Sequence, residues 1–337
     1  MMKVAVIGAG SWGTTVAAIT ARNAPTWLWA RQPRLAAQIE REHRNGAYLP
    51  DFELPPAIRG TSDLEEAVDG AEVVVMGVPS HGFRGVLTAA ARFVGRGVPV
   101  VSLTKGVEQG SLKRMTEVIG DLLPASPAGV LTGPNLAKEI LAGYPAASVV
   151  AVADGTVCTA LQSLFSTDVF RVYTNPDVIG CEVAGALKNV MAIASGMADG
   201  MGFGDNTRAA LITRGLAELT RLGVALGGHR LTFSGLAGMG DLVATCISTQ
   251  SRNRYVGEEL GKGRTISEIT TRMNMVAEGV KTSRAVVDLA AAHGVEMPIA
   301  EQVVAVLYEG KKADDVIATL MRRESRAELH GIVEAVP

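Results

Sequence analysis

The chain has 337 residues, 47% of them hydrophobic and 20% charged, which is material for two globular domains of ordinary size. Thirty-two Lys and Arg against 34 Asp and Glu leave a net charge of −2, and aromatics make up only 4%. This excludes a whole-protein pull toward nucleic acid or a membrane surface and leaves little for base-stacking platforms.

Three widely spaced cysteines, Cys158, Cys181 and Cys246, form no C-x-x-C pair. They argue against a disulfide framework or a zinc site and for a reducing compartment. The five histidines show no metal-ligand spacing. No apolar run reaches the roughly 20 residues of a membrane helix, and the apolar N-terminus lacks a signal peptide's basic flank. A cytoplasmic protein without stable membrane insertion is expected.

Lys3-Val4-Ala5-Val6-Ile7 reads as a buried strand that ends in Gly8-Ala9-Gly10-Ser11-Trp12-Gly13, followed by a helical stretch over residues 14–22. Strand, glycine-rich turn and helix are the context in which G-x-G-x-x-G marks a dinucleotide site. Gly8 permits the tight turn and Gly10 lets the backbone approach a pyrophosphate. Gly13 lets the helix pack close, with its free N–H groups facing the anion. A glycine-rich turn without a ligand is the bland alternative.

Residues 26–30 form the second strand. An NAD-specific site places an acid near its end to hold the ribose hydroxyls, but Glu40 is the first acid here. Arg31 and Arg34 suit a 2′-phosphate instead, which favours NADPH over NADH; the alternative is a pair of solvated arginines. A short helix is expected over residues 63–68. Buried strands follow at residues 71–78, 98–103, 129–131, 149–153 and 170–173, with Ser80 as the cap of a helix reaching residue 93. Such alternation predicts an α/β domain with a mostly parallel, doubly wound sheet whose ligands gather at the carboxyl ends of the strands. Lys105 follows one such strand and precedes a glycine. It is either a cation for a substrate phosphate or carbonyl, or an ordinary loop lysine.

After residue 175 the strand signal stops. Residues 1–176 are expected to form the dinucleotide-binding domain and residues 177–337 an all-helical substrate domain. Residues 178–197 read as one helix, apolar on nearly every face and therefore buried. Glu182 and Lys188 are its only charges, six residues apart and on different faces. A lysine so buried needs an anion or a chemical task, and burial lowers its pKa toward that of a usable base. Asp241, at the head of an apolar run, is either a helix cap or the anion Lys188 requires. Ser251-Arg252-Asn253-Arg254 supplies a hydroxyl, an amide and two guanidiniums suited to a phosphate, or a solvated basic loop. Helices are further expected at residues 207–225, 279–293 and 298–308.

The fingerprint Gly8-Ala9-Gly10-Ser11-Trp12-Gly13 resembles that of the bacterial NAD(P)-dependent glycerol-3-phosphate dehydrogenases. Gly185-Ala186-Leu187-Lys188-Asn189-Val190, continuing through Asp199-Gly200-Met201-Gly202-Phe203-Gly204-Asp205-Asn206, is similar to that family's catalytic segment. Residues 235–241, Ser251-Arg252-Asn253-Arg254 and Glu278-Gly279 are similar to its later blocks, in the same order.

The resemblance implies reversible hydride transfer between NAD(P)H and dihydroxyacetone phosphate, giving sn-glycerol 3-phosphate for glycerophospholipid synthesis, by a homodimer without nucleic-acid partners. It implies Lys188 as the proton donor and acceptor at the C2 oxygen, with Lys105 and Asp241 beside it. Lys105, Gly133, Asp241, Ser251, Arg252 and Asn253 match substrate contacts. Ser11, Trp12, Arg31, Lys105, Ala137, Arg252, Val276 and Glu278 match cofactor contacts. Asn135 departs from the Ser or Thr more usual after Gly133-Pro134, and its substrate contact is open. Two competing readings remain: a ketopantoate-type or β-hydroxyacid reductase acting on a carboxylate, and a nucleotide-sensing protein without catalysis.

Overall fold

The computed structural model describes residues 2–273, 277–322 and 324; Val276 lies outside the described residues. The chain divides into two compact units, one of Met1–Thr104 with Lys113–Val178, the other of Lys105–Leu112 with Ile179–Pro337. The first is α/β and the second helical. Lys105–Leu112 follows a strand of the first unit in sequence but belongs to the second.

The first unit is built on an eight-stranded sheet. Its strands are β1 (Val4–Ile7), β2 (Thr26–Trp29), β3 (Ile58–Thr61), β4 (Val73–Met76), β5 (Val100–Ser102), β6 (Ala128–Thr132), β7 (Ala146–Val152) and β8 (Phe170–Asn175), in the spatial order β8-β7-β6-β5-β4-β1-β2-β3. All neighbours are parallel except β6 and β7. Every residue of β1 and β4 is buried, because a parallel sheet is covered on both faces. The order reverses at β1 and β4, the switch point where ligands of such sheets bind. Helix α1 (Ser11–Thr20) follows β1, and α2 (Pro33–Glu42), opened by a proline in its first turn, follows β2.

Two local expectations need correction. β3, of sequence Ile58-Arg59-Gly60-Thr61, has one large apolar residue and gave no strand signal; it forms as the sheet edge by pairing with β2. Ser80 is not a cap. Pro79 holds that position at φ −56°, and Ser80 is the first residue of the helix Ser80–Ala91.

The second unit carries α3 (Val178–Gly200), α4 (Asp205–Ala225), α5 (Asp241–Ile247), α6 (Arg252–Gly261), α7 (Glu278–Ala292), α8 (Pro298–Tyr308) and α9 (Ala313–Met321). A π-helical turn over Leu236–Gly240 leads directly into α5. Residues 180–198 of α3 are all buried. Although no apolar run of about 20 residues was expected, α3 is long and apolar enough to cross a membrane by length and composition. Its apolar surface is instead consumed by the core of its own unit, which buries 89% of the apolar stretch.

Glu218 on α4 is 2% exposed. Its carboxyl accepts the backbone N–H groups of Ile299 (2.8 Å) and Ala300 (3.3 Å), two donors that the first turn of α8 cannot satisfy internally. Burial pushes its pKa up to about 7, against the pull of those N–H groups and of Arg221. Between the ordinary carboxyl value and 7 the native state therefore binds more protons than the unfolded chain. Stability from this group is lost as pH rises through that window, on the order of 3 kcal/mol in all. Glu218→Gln removes the charge, while its one amide oxygen still accepts one of the two N–H groups. Its Tm advantage over the parent chain is expected to grow from pH 5 to pH 8; parallel Tm–pH curves would show an ordinary carboxylate.

Candidate active site

Lys188 lies in the middle of α3, 5% exposed. Its Nζ donates to Asp241 Oδ1 (2.5 Å) and Thr245 Oγ1 (2.6 Å). The Thr245 hydroxyl in turn donates to the backbone carbonyl of Asp241 (2.6 Å), which orients its lone pairs toward the lysine. Asp241 is the first residue of α5 rather than its cap, and its backbone N–H is satisfied by the π-helical turn that runs into it. Its other oxygen, Oδ2, accepts Lys105 Nζ at 2.6 Å. One carboxylate therefore bridges two ammonium groups whose side chains are 6% and 15% exposed. Of the two roles the sequence left open for Asp241, the structure selects the anion.

Burial pushes the Lys188 ammonium down to about 7, helped by the nearby charge of Lys105 and opposed by Asp241. The lysine is thus poised to give or take a proton near neutral pH. A chain of amides fixes the Lys105 loop over α3. Asn189 Nδ2 donates to the Lys105 carbonyl (3.1 Å), Asn253 Nδ2 to Asn189 Oδ1 (2.9 Å), and the Gly279 N–H to Asn253 Oδ1 (2.9 Å). Thr245 and Asn189 were missed in the sequence. Thr245 stands four residues after Asp241 and so shares its helix face, a signal that only becomes visible once Asp241 starts a helix. Asn189 adjoins Lys188 and carried no signal of its own.

The anion segment is partly as expected. Ser251 caps α6, its Oγ accepting the Arg254 N–H at 3.2 Å. Arg252 is exposed and Asn253 is buried. Arg254 is a correction: its guanidinium is bound to Asp199 (2.8 Å) and Glu258 (3.3 Å), so it is an internal ion-pair partner rather than a phosphate donor. Glu278 opens α7 and is half-buried.

In the first unit, Gly8, Gly10, Ser11, Trp12 and Gly13 lie together at the carboxyl end of β1 and the start of α1. Gly8 has φ +119°, and a Cβ there would stand 2.5 Å from the Gly77 carbonyl oxygen; one on Gly13 would stand 2.0 Å from the Gly8 carbonyl oxygen. Only glycine fits either position. A Cβ on Gly10 would meet nothing within 4 Å, so the space over the helix end is open. Trp12 Nε1 is buried with no partner among the described residues. Open space and the outward N–H groups at the start of α1 fit a dinucleotide's pyrophosphate.

Arg31 follows β2 and Arg34 is in the first turn of α2, both exposed. Glu40 is engaged elsewhere: it accepts the Gly60 N–H (2.7 Å) and pairs with Arg59 (3.1 Å). Gly133, Asn135 and Ala137 follow β6 in turn, Ala137 starting the helix Ala137–Leu141. Asn135 Nδ2 donates to Ser148 Oγ (3.0 Å), while its Oδ1 is buried without a partner among the described residues.

Family models described as the N-terminus and the C-terminus of NAD-dependent glycerol-3-phosphate dehydrogenase match residues 3–158 and 177–318. The chain is 58% identical over 329 residues to glycerol-3-phosphate dehydrogenase [NAD(P)+] 2 of Sphingopyxis alaskensis, covering 98% of this chain and 99% of that one. It is 52% identical over 330 residues to glycerol-3-phosphate dehydrogenase [NAD(P)+] of Mycobacterium avium, covering 98% and 97%. The crystal structure of glycerol-3-phosphate dehydrogenase from Coxiella burnetii superposes with a TM-score of 0.92 at 36% identity, covering 96% of this chain and 99% of that one.

The shared carboxylate sets a stability test that needs no substrate. Asp241→Asn leaves two buried ammonium groups without their anion, and a loss of about 3–5 kcal/mol is expected near pH 6. The loss should shrink near pH 9, where Lys188 has shed its proton. Denaturant unfolding at both values measures it; a loss independent of pH would separate Asp241 from the Lys188 charge.

Proposed function

The chain belongs to the NAD-dependent glycerol-3-phosphate dehydrogenase family, and from that premise we propose how its own residues perform the reaction. The enzyme is an NAD(P)-dependent oxidoreductase that interconverts dihydroxyacetone phosphate and sn-glycerol 3-phosphate. What carries the reading of the site is the buried Lys188, held by Asp241 and Thr245 with its pKa near 7.

The nicotinamide cofactor, when bound, supplies the hydride. Lys188 gives its proton to the C2 oxygen as the carbonyl is reduced and takes one back when the alcohol is oxidised. The base regains its charge from solvent between turnovers. Asp241 and Thr245 aim the Nζ, so the proton leaves along a fixed direction. Lys105 keeps a second positive charge near the developing alkoxide. Arg252, Ser251 and Asn253 hold the phosphate, whose binding energy fixes the carbonyl against Lys188. Gly133 and Asn135 complete the substrate contacts.

Gly8, Gly10, Ser11, Trp12 and Gly13 would hold the pyrophosphate, and Arg31 and Arg34 a 2′-phosphate, which makes NADPH the preferred cofactor. Lys105, Ala137, Arg252, Val276 and Glu278 complete the cofactor contacts by resemblance to the family. Residues 1–104 with 113–178 act as the cofactor domain and residues 105–112 with 179–337 as the substrate domain, which moves the Lys105 loop from the expected 1–176 domain to the other. The setting we infer is a cytoplasmic homodimer supplying glycerophospholipid synthesis.

The test is to follow oxidation of NADPH and of NADH, separately, with dihydroxyacetone phosphate. NADPH is expected to be used faster, and Arg31→Ala with Arg34→Ala to narrow the difference; an unchanged ratio would remove the arginines from that role. Lys188→Ala is expected to lower kcat by about 10²–10⁴-fold with cofactor affinity, read by Trp12 quenching, retained. The log of kcat/KM for reduction should fall as pH rises through about 7, because the donor is then deprotonated, and the oxidative direction should rise. A Lys188→Ala enzyme that turns over at the parent rate would overturn the assignment.

A further inference from the structure

Two helices of the second unit meet without any side chain between them. α3 and α6 each present glycines four residues apart, Gly196 and Gly200 on one, Gly257 and Gly261 on the other. A Cβ on Gly196 would lie 2.0 Å from the Arg254 carbonyl oxygen, and one on Gly200 2.1 Å from that of Glu258. In the reverse direction, a Cβ on Gly257 would lie 2.0 Å from the Ile193 carbonyl oxygen and one on Gly261 2.3 Å from that of Met197. The backbones are in contact on both sides of the seam, so neither helix can approach further.

Contact alone leaves the helices able to slide along the seam. Asp199, near the end of α3, opposes sliding. Its Oδ2 accepts Nε of Arg254 at 2.8 Å and forms an ion pair with Nη2 of the same guanidinium at 2.8 Å. Its Oδ1 accepts Nε (3.1 Å) and Nη2 (2.8 Å) of Arg208. The carboxylate is 7% exposed and Arg254 15%, whereas Arg208 is 31% exposed. Arg254 sits in the first turn of α6, two residues after Arg252 and one after Asn253. Its backbone N–H donates to the Ser251 cap. Asn253 in turn donates to Asn189, beside Lys188.

We propose that Asp199 is a positioning residue: through Arg254 it fixes the register of α6 on α3, and with it the distance from Lys188 to the phosphate-holding end of α6. This rests on the reading of Lys188, Arg252 and Asn253 given above. The distance between proton donor and anion anchor is what measures a substrate of three carbons ending in a phosphate. A register error of about an ångström costs reactivity steeply. Arg208 shares the same carboxylate but touches no atom of α6 in these bonds, so it serves as the internal control.

The experiment compares Asp199→Asn, Arg208→Gln, Arg252→Ala and the Asp199→Asn/Arg252→Ala pair in the full-length enzyme. KM and kcat for dihydroxyacetone phosphate, NADPH affinity and Tm are measured for each. Asp199→Asn is expected to raise KM about tenfold, with NADPH affinity unchanged, and Arg208→Gln to leave KM within about twofold. In the Arg252→Ala background the Asp199 substitution should add less than about twofold to KM, because the one charged member of the anchor it positions is already gone. Equal effects of Asp199→Asn and Arg208→Gln, or full additivity with Arg252→Ala, would reduce Asp199 to a structural ion pair and overturn the proposal. If Arg252→Ala leaves KM unchanged, the anchor reading itself fails, and the positioning proposal fails with it.

Discussion

A single carboxylate shared between two buried ammonium groups is the constraint on which the helical unit depends. Asp241 holds Lys188 on one oxygen and Lys105 on the other, so the cluster carries one positive charge more than it can neutralise. Removing ions from water costs several kcal/mol each, and the attraction repays it only with good geometry. The surplus charge suits an anionic substrate and a developing alkoxide. It also destabilises the protonated form of Lys188, through the repulsion of Lys105. Burial is the larger cause of the lowered Lys188 pKa, and the repulsion of Lys105 adds to it.

The arrangement requires three distant stretches of sequence to meet. Lys105 is 136 residues from Asp241, and Lys188 is 53. The fold meets this demand by giving Lys105–Leu112 to the helical unit. Val107 is buried in that unit's core, Asn189 holds the Lys105 carbonyl, and Gln109 donates to the Lys281 carbonyl at 3.0 Å. The loop is a part of the helical unit that happens to be encoded between strands.

This explains what the sequence disclosed and what it withheld. Elements stabilised by their own pattern were legible: the continuous β-branched runs of β1 and β4, the glycine turn after β1, and the apolar α3. Elements specified by a neighbour were not. β3 has almost no strand character and exists because β2 pairs with it. Arg254 looks like a phosphate donor until Asp199, 55 residues away, is seen to occupy it. Ser80 has the chemistry of a cap, but Pro79 already fixes the backbone there. Glu40 is the first acid after the glycine turn, yet Arg59 and the Gly60 N–H claim it. Chemistry-bearing residues were visible one at a time; which of them are spent on structure depends on contacts across the chain.

The same reasoning accounts for the stability of α3. It contains four glycines, at 180, 185, 196 and 200, and each costs an isolated helix about 1 kcal/mol relative to alanine. Such a helix is not specified by propensity. It is stable because tertiary packing rewards the small residues, two of which let the α6 backbone reach contact distance. Low side-chain volume and high apolarity give the segment the composition of a membrane span, and the same two properties allow a second helix to lie against it. That close approach brings the amide of Asn253 to Asn189, next to the one lysine in the segment. The glycines that weaken the isolated helix are thus the residues that let α6 come near Lys188.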